Sequence, residues 1–218
     1  VHGDYDVDGI TSTVIVRRAL ELLGGNVGHF VPERIRDGYG LNVPAIERLE
    51  GLRQALAEYP DVELLDVQSA DWDTAKAASL MSSYVTRYGD EIAGVHCAND
   101  NMAYGVLEAL KAEGMRMPVT GFDGNPEAVQ KVIAGEMLAT VFTNPFWGGG
   151  ISLALAHQAA IGAFKPSEEP HEHREFYGPS IVVTQADAEE FTKTYLDSNP
   201  EYDWNDRWSL AAGQIQYN

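Results

Sequence analysis

The feature that most constrains this chain is a regular alternation of short apolar, β-branched runs with longer runs of helical period, each closed by Gly, Pro, Asn or Asp. Strands separated by helix-length connections return to the same sheet in parallel, so the pattern predicts an α/β fold. Helices are expected over 10–23, 43–59, 73–88, 102–113, 126–134, 146–163 and 185–196. Pro44 suits the first turn of the second, Pro60 ends it, and Gly114 and Gly135 close two of the later ones. Strands are expected over 27–31, 62–67, 92–98, 119–122, 139–142 and 180–184. The predicted architecture is a three-layer, mostly parallel, flavodoxin-like sheet with helices on both faces, residues 1–218 forming one composite domain. Residues 165–174, rich in Pro, Glu and His, read as an exposed loop.

Charge and cysteine content narrow the function classes. With 15 basic and 33 acidic residues the net charge is −18, a field that repels phosphate backbones, so nucleic acid is not an expected partner. Cys97 is the only cysteine, which excludes an internal disulfide and a thiolate zinc cluster. It reads as a small buried apolar residue. No run reaches 18 apolar residues, so no membrane insertion is expected. The first residue is Val and no basic-then-apolar leader precedes the fold, which suggests a processed or excised chain.

Two constellations carry recognisable chemistry. The first is His2-Gly3-Asp4-Tyr5-Asp6-Val7-Asp8-Gly9, where carboxylates at alternate positions suit a hard divalent cation. With Arg34 and Gly38-Tyr39-Gly40-Leu41, residues 1 to about 49 resemble the start of a DHH-family phosphoesterase of the single-strand-specific exonuclease type. The resemblance implies Asp6 and Asp8 as manganese ligands, with His2 a neighbour. The family also uses an Asp-His-His triplet, and none occurs in this sequence. A two-metal hydrolase with only its first motif cannot clamp both the attacking and the leaving oxygen, so no enzyme is expected. Weak Mn or Mg binding is the most that Asp6 and Asp8 suggest, and no other cofactor is expected. A solvated acidic turn is the plainer reading of the same residues.

The second constellation runs through Arg48-Leu49-Glu50-Gly51-Leu52, Ala70-Asp71-Trp72-Asp73, Ala98-Asn99-Asp100-Asn101-Met102-Ala103 and Gly121-Phe122-Asp123-Gly124-Asn125-Pro126. In this order, from about residue 47 onward, the chain resembles a type I periplasmic binding protein of the ribose, xylose and galactose group, mainly its C-terminal lobe. A sugar presents paired hydroxyls and an apolar C–H face, which planar Arg, Asn and Asp groups and an aromatic ring complement. The resemblance implies Arg48, Asn99 and Asp123 as hydroxyl contacts, Trp72 as the stacking ring and Thr143 as a polar hinge contact. Each residue also has a duller role: Asn99 as a helix cap, Asp123 as a turn residue, Trp72 as core cover.

The families work in different compartments, cytoplasm and periplasm, so the combination reads as a chimera joined inside the 43–59 helix. Three functions follow as expectations: a sugar-binding lobe with small residual affinity, an inactive phosphoesterase fragment, or an engineered scaffold without activity. If the first holds, Trp72 should offer its ring face to solvent in a half-site at the carboxyl ends of the strands.

Overall fold

The structure, a computed structural model, describes residues 43–165, 167–170, 180–201, 203, 208 and 216–217. The expectations for the helix over 10–23, the strand over 27–31 and the ligands Asp6 and Asp8 lie outside the described residues. The chain divides into two compact units, Gly40–Asn144 with Ser180–Asn199, and Val1–Tyr39 with Pro145–Pro179 and Pro200–Asn218.

The first of these units holds the sheet. Its elements are α1 (Val43–Leu56), α2 (Thr74–Tyr88), β1 (Val95–His96), α3 (Asp100–Ala112), β2 (Val119–Thr120), α4 (Pro126–Ile133) and β3 (Ala139–Phe142). Beyond the other unit's helix α5 (Pro145–Ala160) come β4 (Ile181–Thr184) and α6 (Ala188–Phe191), which widens into a π-helical turn over Thr192–Leu196. The four strands lie in chain order. β1 with β2 and β2 with β3 are parallel, at Val95 opposite Val119 and Thr120 opposite Ala139. β4 closes the sheet antiparallel to β3, with Phe142 opposite Ile181. The architecture is therefore the mostly parallel, helix-flanked flavodoxin-like α/β fold.

Local chemistry explains the boundaries. Asp73 caps α2 by accepting from the Lys76 amide at 2.7 Å, and Asn99 caps α3 by accepting from the Met102 amide at 2.9 Å. Pro126 opens α4, and Gly114 (φ 67°) and Gly135 (φ 70°) turn the chain out of α3 and α4 in left-handed conformations. The core gathers Met81, Val106, Leu110, Val119, Val129, Val132, Met137, Phe142, Val183 and Phe191. Phe142 meets Phe191 edge-on at 5.0 Å, which ties β3 to α6. α2 and α3 pack closely because position 105 is glycine: a β-carbon there would overlap the Thr74 carbonyl.

One expected strand is not a strand. Residues 62–70 carry no regular secondary structure, and Val62, Leu64 and Val67 are exposed. β-branched composition favours a ladder but does not supply one. β1 is only two residues long and, among the described residues, pairs with β2 alone, while Leu65 and Asp66 are held instead by the Tyr88 hydroxyl and Arg87 at the end of α2.

In the second unit, α5 carries no Asp, Glu, Lys or Arg, and Trp147, Ile151 and Ala154 are buried. Phe164 meets Trp208 edge-on at 6.1 Å, and β5 (Pro200–Glu201) pairs antiparallel with β6 (Gln216–Tyr217). No helix among the described residues is long and apolar enough to cross a membrane.

Candidate functional site

Parallel strands end on one edge of the sheet, and the chain leaves β1, β2 and β3 there through Ala98-Asn99, Gly121-Phe122-Asp123 and Thr143-Asn144. The edge is knit by backbone bonds. The Asp100 amide donates to the Phe122 carbonyl at 2.8 Å, and the Asp123 amide donates to the Val141 carbonyl at 2.8 Å. Asp123 also bridges Phe142, so Thr143 stands one residue beyond it on the neighbouring strand.

Arg48, reaching in from α1, is the organising side chain. Its Nη1 donates to the Ala98 carbonyl, and its Nη2 lies 3.9 Å from Asp123 Oδ1. Its guanidinium carbon sits 3.9 Å from the centre of the Phe122 ring and 5.3 Å from that of Trp72. Arg48 thus contacts both Asp123 and Trp72. Trp72 is half-buried, on a left-handed backbone (φ 62°) that follows a second left-handed residue, Asp71 (φ 50°). The Arg48 guanidinium lies over one face of its ring.

Asn99 lies on the same edge, buried, with its side-chain oxygen engaged in capping α3. The duller role is therefore filled, and any hydroxyl contact by Asn99 falls to its Nδ2. Thr143 is half-buried at the end of β3, and its neighbour Asn144 is buried at φ 49°.

Electrostatics single out Asp123. Burial pushes its carboxyl up to about 6, Arg48 pulls it down, and Asp100 pushes it up again. Burial also lowers Arg48, against the pull of Asp123. The pair sits in a pocket of reduced solvation, in which planar donors and acceptors discriminate well between ligand hydroxyls. His96 on β1 holds the Thr120 hydroxyl at 2.8 Å, and burial and Arg48 lower its pKa.

Sequence reasoning missed Asp100 and Thr140. Asp100 was read as one letter of a motif, yet its residue is 0% exposed and its carboxylate spans two elements. The Thr140 hydroxyl donates to Asp100 Oδ1 at 2.7 Å, and the Asn125 amide donates to Oδ2 at 2.8 Å. The one available signal was the polar Asn99-Asp100-Asn101 run directly ahead of the apolar Met102-Ala103. Among the described residues no three His, Cys, Asp or Glu side chains group to hold a metal ion.

Comparison with known proteins identifies the family of the fold. The family model described as periplasmic binding protein domain matches residues 21–163, opening well before residue 47, where the resemblance was read to begin. The D-allose-binding periplasmic protein of Escherichia coli K12 is 35% identical over 169 residues, 76% of this chain and 52% of that protein. Among solved structures, a twin-arginine translocation pathway signal protein from Burkholderia phytofirmans is 38% identical with a TM-score of 0.71, covering 78% of this chain and 53% of that one. A periplasmic solute-binding protein of an ABC transporter from Actinobacillus succinogenes 130z, solved with bound D-allose, is 30% identical with a TM-score of 0.61, covering 67% and 50%. The chain spans about half the length of the curated relatives it matches. With the fold and the family match in agreement, this chain belongs to the periplasmic binding protein family.

Proposed function

We propose that this chain is a sugar-binding lobe of the kind that serves ABC transporters in the periplasm, binding a neutral sugar or polyol at the carboxyl edge of its sheet. The observation that carries the reading is Arg48 lying 3.9 Å from Asp123 and beside the Trp72 ring, at an edge also occupied by Asn99 and Thr143. Arg48 supplies donors and Asp123 acceptors to adjacent hydroxyls, the Asn99 amide a further donor, Thr143 a polar contact, and Trp72 an apolar surface. Relatives described as binding D-allose, xylitol and ribose support an uncharged, hydroxyl-rich ligand. The role is binding, without catalysis and without a cofactor.

The phosphoesterase likeness of residues 1 to about 49 is confined in this proposal to the residues ahead of 21, since the family match takes in 21–163. That segment carries no activity in this proposal, because the sequence contains no Asp-His-His triplet. Asp6 and Asp8 are its only candidate metal ligands.

Three or four hydroxyl contacts contribute about 1–1.5 kcal/mol each. Set against an association cost of about 4 kcal/mol or more, the sum of about 3–6 kcal/mol leaves an affinity no tighter than roughly millimolar for the contacts this stretch supplies. Calorimetry and saturation-transfer NMR against D-allose, ribose, xylose, arabinose, galactose and glucose test this. Weak, saturable binding that Trp72→Ala and Asp123→Ala abolish is the expected result. Binding that survives both substitutions would place the ligand elsewhere, and a micromolar constant would contradict the half-site geometry.

A further inference from the structure

A buried carboxylate without a cation beside it is costly to keep, and among the described residues Asp100 has none. It sits in the first turn of α3, fully enclosed, and burial pushes its carboxyl above the usual range. No ligand reaches a group with no exposed surface, so a contact role is excluded. What it touches is the turn that carries Asp123.

The contacts close a ring. Asp100 Oδ2 accepts from the Asn125 amide at 2.8 Å and Oδ1 accepts from the Thr140 hydroxyl at 2.7 Å. The same hydroxyl accepts from the Gly124 amide at 3.2 Å, and the Asp100 amide donates to the Phe122 carbonyl at 2.8 Å. Phe122, Gly124 and Asn125 are thus all pinned, and Asp123 between them is forced to φ 119°, a conformation that L side chains rarely adopt. Two glycines make room for the clamp. A β-carbon at 121 would overlap the Asp100 carboxylate, and one at 124 would lie 2.6 Å from the Phe142 Cα.

We propose that Asp100 and Thr140 are positioning residues that lock the 122–125 turn and so hold the Asp123 carboxylate facing Arg48. The proposal rests on the sugar-site reading for its functional meaning, since Asp123 is the acceptor group of that site. A free turn would relax Asp123 to an ordinary conformation and swing its carboxylate away from the guanidinium.

The test reads the Arg48–Asp123 interaction without any sugar. The charged groups acting on Asp123 are Arg48 from α1 and Asp100 from α3. The titration midpoint of the Asp123 carboxyl, followed by carbon-13 NMR, rises when Arg48→Gln removes the attraction. Thr140→Val keeps both charges but breaks the clamp, and in that background the Arg48→Gln shift is expected to fall to about half or less. Thr140→Ser, which keeps the hydroxyl, restores the full shift. Should Thr140→Val fail to fold, Thr140→Ala, which also lacks the hydroxyl and keeps both charges, carries the same comparison. An undiminished shift in a folded Thr140→Val or Thr140→Ala protein overturns the proposal. Sugar titration of the same proteins separates the two readings. Loss of coupling with no sugar bound by the parent chain upholds the clamp and sinks the sugar site; sugar bound with coupling intact does the reverse.

Discussion

Asp123 stands between burial, which favours its neutral form, and Arg48, which favours its charge, and burial is the larger influence. Its folded value of about 6 exceeds the ordinary 3.8, so between these limits the folded state binds more protons than the unfolded one. Stability from this group is therefore full at low pH and is lost as pH rises through about 6. Asp123→Asn removes the penalty, so its melting temperature should exceed the parent's at pH 8 and converge with it near pH 4. A variant that melts lower at pH 8 would show that Arg48 outweighs burial. The same balance predicts that sugar affinity weakens below pH 6, where Asp123 loses its charged acceptor. Arg48, Trp72, Asn99 and Asp123, the residues proposed for the site, each belong to a compact motif that a local reading of the sequence singles out. Asp100 and Thr140 were not legible there, because the bond joining them spans 40 positions and links two motifs, a relation that no local pattern carries.

At the scale of elements, the helices followed their sequence signals closely, because caps and closing glycines act within a turn of the residues they affect. The α3 expectation began at Met102; the helix begins at Asp100, since Asn99 caps it. Asn99→Ala should cost about 1 kcal/mol in chemical denaturation, while Asn99→Ser, which can still cap, should cost a few tenths. If Asn99→Ser keeps stability but weakens sugar binding, the amide serves the ligand as well as the helix. Strands were less legible than helices. Val62–Val67 has strand composition and no ladder, because pairing depends on a distant partner edge that a local run does not encode. Gly105→Ala tests the α2–α3 contact. The obstacle is backbone rather than a flexible side-chain tip, so destabilisation of about 3 kcal/mol is expected. A loss below a few tenths would mean the helices separate freely.

For the whole molecule, a net charge of −18 means that folding brings like charges together. The melting temperature should rise between low salt and about 0.5 M NaCl, as the screening length shrinks below roughly 10 Å. A flat or falling response would show that local ion pairs, such as Arg87–Asp66 at 3.2 Å, outweigh the general repulsion. The single cysteine adds a means of observing this cooperativity directly. Cys97 is buried between the end of β1 and the start of α3, and burial together with Asp100 pushes its thiol up to about 12. A protonated, enclosed thiol does not react with disulfide or maleimide reagents until the sheet opens. Labelling kinetics at this one atom therefore count opening events of the core, and their dependence on denaturant separates local breathing from global unfolding without any engineered probe.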